Sequence, residues 1–203
     1  MGPGTGYFLE RSGLPDGSSV TILDPNPNPN PNPNPNVLRH VSRRLGQLDV
    51  TSVEADVLKP LPVDGPFDSA ALHLVIHCLP GPLARKAGAV ANVAAVLAPD
   101  GVLFGASVLG TSGRHTWAAR RMLAAFNRQG GSDNLTDSEE GLGEILGASF
   151  EHVEIATVGS IAIFVAMNPR MDSSGQLVVP SLQPQIADLE PARPNICHEE
   201  RIA

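Results

Sequence analysis

Apolar and polar positions alternate along the chain with two different periods. β-Branched and apolar residues dominate 18–24 and 50–57, and a nearly unbroken apolar run covers 67–79. Another short apolar segment covers 101–109. Runs of this kind are typical of parallel strands that are covered on both faces of a sheet. The pattern therefore predicts strands over these four segments.

Between the strands, apolar residues recur at the spacing of an amphipathic helix. Helices are predicted over 36–48, 81–99, 115–129 and 136–149. The last of them begins with a capping box from Thr136 to Glu139. Two further strands within 150–167 meet at a Val-Gly-Ser turn, which is typical of an antiparallel hairpin. Strands that alternate with helices and close on a hairpin predict an α/β sandwich with a mostly parallel sheet.

Two segments have no such periodicity. Residues 25–36 are six consecutive Pro-Asn dipeptides, which predict an extended low-complexity loop, expanded from a shorter turn. Residues 168–203 are rich in Pro, Ser and Gln and are predicted to form a flexible tail. We therefore expect one folded domain over 1–167, interrupted by the Pro-Asn loop.

Composition excludes several classes of protein. A net charge of -7 argues against a nucleic-acid partner, which would call for a basic face. Cys78 and Cys197 are too few for a disulfide framework, and Cys78 is expected to be a small buried residue. No Cys/His spacing suggests a metal site. No apolar run is long enough to cross a membrane and no signal peptide is visible, so a cytoplasmic protein is expected.

Glycine-rich sequence at the start of the chain points to a nucleotide ligand. Gly2, Gly4 and Gly6 allow the backbone to approach a ligand closely with its N–H groups. Asp24 ends a predicted strand 18 residues beyond Gly6, at about the distance where an acid binds ribose hydroxyls, although it could also begin a turn before proline. Tyr7 stands where the nicotinamide fingerprint needs glycine, so a nicotinamide-dependent reductase is disfavoured.

A second acid, Asp56, lies at the end of the strand predicted over 50–57. Because the ends of parallel strands share one crevice, Asp56 could reach the adenine amino group; as an alternative it could cap a loop. With these pieces in place, the chain resembles the class I S-adenosylmethionine-dependent methyltransferases. The matching pieces, in the family's order, are "GPGTGYFL", "TILD", "EADV", "FDSAALHLVIHCLPG", "LAPDGVLFG" and "FEHVEI…IAIFVAM".

The resemblance covers about residues 2–167 without the Pro-Asn loop, and it implies a Rossmann-like methyltransferase sandwich of seven strands with the last one antiparallel. The family's central strand, which precedes the glycine loop, has no counterpart here. The first strand is therefore expected to be missing, with the true start of the domain upstream. A non-catalytic, truncated remnant or interaction protein is the alternative interpretation.

By position, the resemblance implies S-adenosylmethionine as the cofactor and a small-molecule methyl acceptor. The cofactor-binding residues that it implies are Gly2, Gly4, Gly6, Asp24, Pro25, Asp56, Val57 and His73. His73 would lie near the methionine moiety, and His77 would lie on the acceptor side. Either histidine could act as a general base, and a metal-binding pair is a minor alternative. Trp117 and Phe126 could wall the acceptor pocket or simply pack in the core.

Overall fold

A computed structural model of the chain describes residues 1, 7–24 and 48–171, with the backbone alone at Tyr7 and Phe8. The chain divides into two units, Met1–Val63 and Asp64–Ala203, and the described strands form one sheet in each. The glycine run, the Pro-Asn loop, nearly all of the helix predicted over 36–48 and the tail from residue 172 onward lie outside the described residues. The first two residues of the tail predicted over 168–203 belong to the last strand, which ends at Pro169.

The first unit contains a pair of parallel strands. A short helix, α1 (Tyr7–Glu10), precedes β1 (Ser19–Asp24), which pairs in parallel with β2 (Asp49–Glu54). The strand predicted over 18–24 is confirmed. The strand predicted over 50–57 ends earlier, at Glu54, so that Asp56 follows the strand in a turn.

A small apolar cluster holds the described part of this unit together. Ile22 is 3% exposed and forms its centre. Partly buried apolar side chains pack around it: Leu9, Val20, Leu48 and Val50. Leu23, which points to the opposite face of the strand, is 7% exposed, so β1 is covered on both faces at this point.

The second unit is larger and follows the predicted alternation. Its elements are β3 (Phe67–His73), a 3-10 turn (Ile76–Cys78), α2 (Leu83–Ala94), β4 (Leu97–Val108), α3 (Trp117–Gln129), α4 (Glu139–Gly147), β5 (Phe150–Val158) and β6 (Ile161–Pro169). The sheet order is β3-β4-β6-β5, with β3 parallel to β4 and β6 antiparallel to both of its neighbours. The closing antiparallel hairpin is confirmed.

Helices α2 and α4 pack on each other and on this sheet. Alanines and valines line the buried side of α2, and Phe150 and Phe164 are almost completely buried in the sheet. Gly105 lies in the middle of β4, where a Cβ would collide with the backbone of Leu72 and with the ring of Phe164. The absence of a side chain there lets β3, β4 and β6 pack closely. No helix within the described ranges is long and apolar enough to span a bilayer.

Several further predicted boundaries are wrong. The strand predicted over 67–79 ends at His73, and a 3-10 turn follows it. Helix α2 ends at Ala94, and β4 begins at Leu97, before Pro99, because Leu97 already pairs with Phe67 of β3. Helix α4 begins at Glu139, and its N-cap is Ser138, whose side chain accepts a hydrogen bond from the Gly141 N–H at 3.1 Å.

The capping box predicted from Thr136 is therefore wrong. The residue after it, Asp137, donates its backbone N–H to the Asn134 carbonyl at 3.0 Å, so the chain is still in a turn at that point. Two burial predictions also fail. Cys78 is partly exposed, and Trp117 is 74% exposed rather than packed in the core.

Candidate functional site

Two acids lie side by side at the carboxyl edge of the first sheet. Asp24 and Glu54 end β1 and β2 and are partners in register. The Ala55 N–H extends the pairing by donating to the Asp24 carbonyl at 3.1 Å. Ligands of open α/β sheets bind at the carboxyl ends of parallel strands, so this edge is where a nucleotide is expected.

The Asp24 carboxylate also acts on the residue that precedes the glycine run. Burial lowers the pKa of the Met1 amino group to about 6, and the negative charge of Asp24 opposes this shift. Asp24 is therefore close enough to Met1 for an electrostatic interaction. Gly2, Gly4, Gly6 and Pro25 lie outside the described residues.

Asp56 caps the turn that follows β2. Its Oδ1 accepts a hydrogen bond from the Leu58 N–H at 3.0 Å, and its carbonyl accepts one from the Lys59 N–H at 2.9 Å. Asp56 Oδ1 therefore acts as a loop cap, as the alternative interpretation predicted. Its Oδ2 makes no hydrogen bond with the residues that the structure describes. One carboxylate oxygen is left for a ligand, and the adenine contact remains a prediction.

A cleft of about 360 Å³ opens beside this turn. Its lining residues are Glu54, Ala55, Asp56, Lys59, Pro60 and Pro62. Val57, the other residue expected near adenine, is 8% exposed and belongs to the core. Carboxylates on one side and proline rings on another are suited to a ligand with a polar sugar and a flat apolar base.

The carboxyl edge of the second sheet begins at His73, an exposed residue that ends β3. Leu74 follows with a φ of +59°, a left-handed conformation that costs a non-glycine residue about 1–2 kcal/mol. Its N–H donates to the Ala106 carbonyl of β4 at 2.8 Å, which holds the conformation in place. Strained residues of this kind cluster at functional sites. This one turns the chain from β3 into the 3-10 turn that carries His77.

His77 is partly buried against the end of β4. Its Nδ1 accepts a hydrogen bond from the Val108 N–H at 3.5 Å. Burial lowers the pKa of His77 to about 4, and the positive charge of Lys86 contributes to the same shift. The imidazole is therefore neutral at pH 7. No group of three metal-ligating side chains occurs within residues 1, 7–24 and 48–171.

Lys86 forms a buried ion pair that the sequence interpretation missed. Its side chain is 0% exposed, and its Nζ lies 2.6 Å from Asp137 Oδ2 and 2.6 Å from the Asp133 carbonyl oxygen. Asp137 is 3% exposed, and its Oδ1 has no partner in the described structure. Burial raises the pKa of Asp137, against the opposite effect of Lys86. One signal was available in the sequence, because Lys86 falls on the apolar stripe of α2 with Val90 and Val93.

Residues 133–138, which we call the clamp segment, join the elements around this edge. Asp133 donates its N–H to the His77 carbonyl at 3.0 Å, and its Oδ2 accepts from the Gly81 N–H at 2.7 Å. The side chain of Asn134, which is 1% exposed, donates to the Val108 carbonyl at 2.8 Å. The clamp segment thus holds the 3-10 turn, the start of α2 and the end of β4 together.

A second cleft, of about 440 Å³, lies where β4 and β5 end. The Asp137 carbonyl holds the loop after β4 in place beside this cleft. It accepts hydrogen bonds from the Gly110 N–H at 2.7 Å and from the Ser112 hydroxyl at 3.2 Å. Its lining includes Leu109, Ser112, Arg114, Glu139, Glu140 and Thr157. This mixture of hydroxyls and both signs of charge suits a small polar molecule.

Helix α3 presents aromatic surface beyond the end of β4. Trp117 begins this helix, and the Arg121 guanidinium lies 5.2 Å from the centre of its indole ring. Phe126 is partly buried. A role for either side chain in walling the acceptor pocket remains a prediction.

Comparisons with known proteins agree with the arrangement of strands. A family model described as "Methyltransferase domain" matches residues 1–105. N-methyltransferase vrtF of Penicillium aethiopicum is 33% identical over 182 residues, covering 87% of this chain and 71% of that protein. The Physcion biosynthesis cluster O-methyltransferase of Aspergillus chevalieri is 34% identical over 173 residues, covering 84% of this chain and 74% of that protein.

Solved structures show the same fold. The N-methyltransferase NodS from Bradyrhizobium japonicum WM9, in complex with S-adenosyl-L-homocysteine, superimposes with a TM-score of 0.54 at 18% identity. The match covers 82% of this chain and 74% of NodS. The fold of this chain is thus shared with a protein of known structure.

Proposed function

The chain belongs to the S-adenosylmethionine-dependent class I methyltransferases, and from this premise we propose that it transfers a methyl group from S-adenosylmethionine to a small-molecule acceptor. The observation that carries the proposal is the position of Asp24 at the carboxyl edge of the parallel pair β1 and β2, with Asp56 in the turn after β2. These are the places where an α/β sheet of this kind holds ribose and adenine.

We assign the nucleotide contacts to the first unit. Asp24 would accept hydrogen bonds from the ribose hydroxyls, and Asp56 Oδ2 and Val57 would contact adenine. Gly2, Gly4 and Gly6 would bind the amino-acid part, and Pro25 would line the adenine pocket. When bound, S-adenosylmethionine supplies a methyl group that its sulfonium makes electrophilic. The protein's own contribution is then chiefly to position the acceptor in line with that methyl group.

We assign the acceptor to the carboxyl edge of the second sheet. The cleft of about 440 Å³ has a volume suited to a small molecule. His73 ends β3, and His77 lies on the 3-10 turn that follows. N- and O-methyltransferases among the relatives support an amine or hydroxyl acceptor. The net charge of -7 supports a small molecule rather than a nucleic acid, and a cytoplasmic location stays a prediction.

Isothermal titration of the full chain with S-adenosyl-L-homocysteine tests the proposal. Asp24→Ala removes a charged hydrogen-bond acceptor and should raise Kd about 10- to 100-fold. Asp49→Ala is the matched control, because Asp49 is an exposed aspartate at the opposite end of the same sheet, and its Kd should stay within about twofold of the parent's.

A parent that binds no S-adenosyl-L-homocysteine, or an Asp24→Ala variant that binds like the parent, would overturn the proposal. A cooperative thermal melt of the parent without any shift on adding S-adenosyl-L-homocysteine would favour the non-catalytic alternative, because a ligand of the folded state raises its stability.

A further inference from the structure

The tautomer of His77 follows from its single side-chain hydrogen bond. The Val108 N–H can only donate, so His77 Nδ1 must carry a lone pair and no proton. A neutral ring then bears its proton on Nε2. A doubly protonated ring would point an N–H at the Val108 N–H, so the backbone at the end of β4 disfavours the cation.

Nε2 of the same ring is available to a ligand. Among the described residues it makes no hydrogen bond, and it is not one of the two buried side-chain atoms that lack a partner. The ring is partly exposed at the carboxyl edge of β3 and β4. His77 therefore offers an N–H at the carboxyl edge of the second sheet, to which we assign the acceptor, although its ring is not among the residues that line the cleft of about 440 Å³.

Burial and a nearby positive charge together keep His77 neutral. The nearby charged groups are the buried Lys86 ammonium of α2 and the carboxylates of Asp133 and Asp137 in the clamp segment. The Asp133 carboxylate accepts a hydrogen bond from the Gly81 N–H, and the Asp137 carboxylate pairs with Lys86. Lys86 also donates to the Asp133 carbonyl. The 3-10 turn adds the Cys78 thiol, and β4 adds only the Val108 amide. A pKa of His77 lowered to about 4, by burial and then by Lys86, agrees with this arrangement.

We propose that His77 is a neutral hydrogen-bond donor to the methyl acceptor, held in one tautomer by the Val108 amide and kept uncharged by its burial and by Lys86, which acts as a positioning residue. The proposal rests on the proposed function where it places the acceptor. It also narrows the substrate class. An N–H donor binds an atom with a free lone pair, so the acceptor presents such an atom here, for example a carbonyl, hydroxyl or phenolate oxygen. Because Nε2 already carries a proton, His77 does not take a proton from that atom.

Nitrogen-15 NMR of the imidazole rings in the labelled full chain tests the tautomer directly, with His77 assigned by comparison with His77→Gln. Between pH 5 and 8 we expect an unprotonated Nδ1 and a protonated Nε2, with the titration midpoint near the lowered value of about 4. A proton on Nδ1, or a midpoint near the ordinary histidine value of about 6.5, would overturn the proposal.

Two substitutions test the part played by Lys86. Lys86→Met removes the buried charge and should raise the His77 midpoint part of the way towards 6.5, because burial of the ring, the larger cause of its lowered pKa, remains; Lys86→Arg keeps the charge and should leave the midpoint below about 5. Arg128→Met, which removes an exposed charge from the end of α3, should move it by less than about 0.2 unit because solvent screens that charge. An unchanged midpoint in Lys86→Met would contradict the role of Lys86.

Should Lys86→Met fail to fold, the double variant Lys86→Met/Asp137→Leu replaces the pair with apolar side chains, a change that proteins tolerate well. The same upward shift is expected there, and no shift would again contradict the role of Lys86. No cofactor or acceptor is present in these measurements. Their outcome is therefore independent of whether methyl transfer itself is observed.

Discussion

The two sheet edges to which we assign the cofactor and the acceptor are built in different ways. In the first unit, acids at or just beyond the ends of two adjacent strands form the edge, and the described apolar core centres on Ile22. In the second unit, the edge depends on a buried pair, Lys86 and Asp137, which are 51 residues apart in the sequence.

This difference teaches that binding a common cofactor and shaping an acceptor site place different demands on a chain. Ribose and adenine need only an acid near the end of each of two strands, which short sequence motifs supply. A specific acceptor needs several loops held in register. At the edge to which we assign the acceptor, the clamp segment holds neighbouring elements together through Lys86, Asn134 and Asp133.

The largest expected effect is on the free energy of unfolding when a core side chain of either unit is truncated. Phe164 is 1% exposed at the centre of the second sheet, so Phe164→Ala should lower the free energy of unfolding by about 3–5 kcal/mol, measured by urea denaturation. Ile22→Ala, in the smaller core, should cost about 2 kcal/mol. Ile163→Ala changes a neighbour that is 48% exposed and should cost less than about 1 kcal/mol. Equal losses for Phe164→Ala and Ile163→Ala would contradict this distribution of stability.

The next effect tests the buried pair. Lys86→Met leaves the Asp137 carboxylate without its cation, and the loss in unfolding free energy should be about 3 kcal/mol. Lys86→Met/Asp137→Leu should recover most of that loss, because neither charge remains to be desolvated. Thermal and urea denaturation of the single and double variants measure both. If the double variant is no more stable than Lys86→Met, the lost stability does not come from the unpaired Asp137 carboxylate.

A smaller effect concerns pH. The pKa of His77 is about 6.5 in the unfolded chain and about 4 in the folded chain. Its contribution to the free energy of unfolding is therefore complete above pH 6.5 and declines as pH falls towards 4. For a partly exposed ring we expect a loss of about 2 kcal/mol over this interval. His77→Gln should lack this loss, and His73→Gln, at the exposed end of β3, should keep it.

The raised pKa of Asp137 has the opposite effect on the free energy of unfolding. Its stabilising contribution is present at low pH and declines as pH rises. The difference between the parent and His77→Gln isolates the histidine from it. Identical pH profiles for those two proteins would contradict the burial of a neutral imidazole.

Local patterns predicted most of the fold correctly. The strand that ends at Asp24 and the closing hairpin follow from short runs of apolar residues, and both are confirmed. Asp56 was predicted to lie in a strand, but its carboxylate caps the Leu58 N–H and favours a turn instead. Thr136 and Ser138 are both residue types that suit an N-cap. The chain is still in a turn from Asn134 to Asp137, so the helix begins after Ser138, which is the N-cap.

The network of the second edge could not be predicted in the same way. Contact between Lys86 and Asp137 depends on how α2 and the clamp segment meet in three dimensions. A lysine on the apolar stripe of α2 indicates that some buried partner exists, but it does not identify that partner. Long-range polar contacts of this kind leave little periodic trace in a sequence.

The central claim is that an adenosyl group binds at the carboxyl edge of β1 and β2. Hydrogen–deuterium exchange of the full chain, with and without S-adenosyl-L-homocysteine, tests it most directly. Peptides that contain Leu23–Asp24 and Glu54–Leu58 should exchange more slowly with the ligand, while those from the β5–β6 hairpin should not change. Unchanged exchange at both strand ends in ligand-saturated protein would contradict the claim.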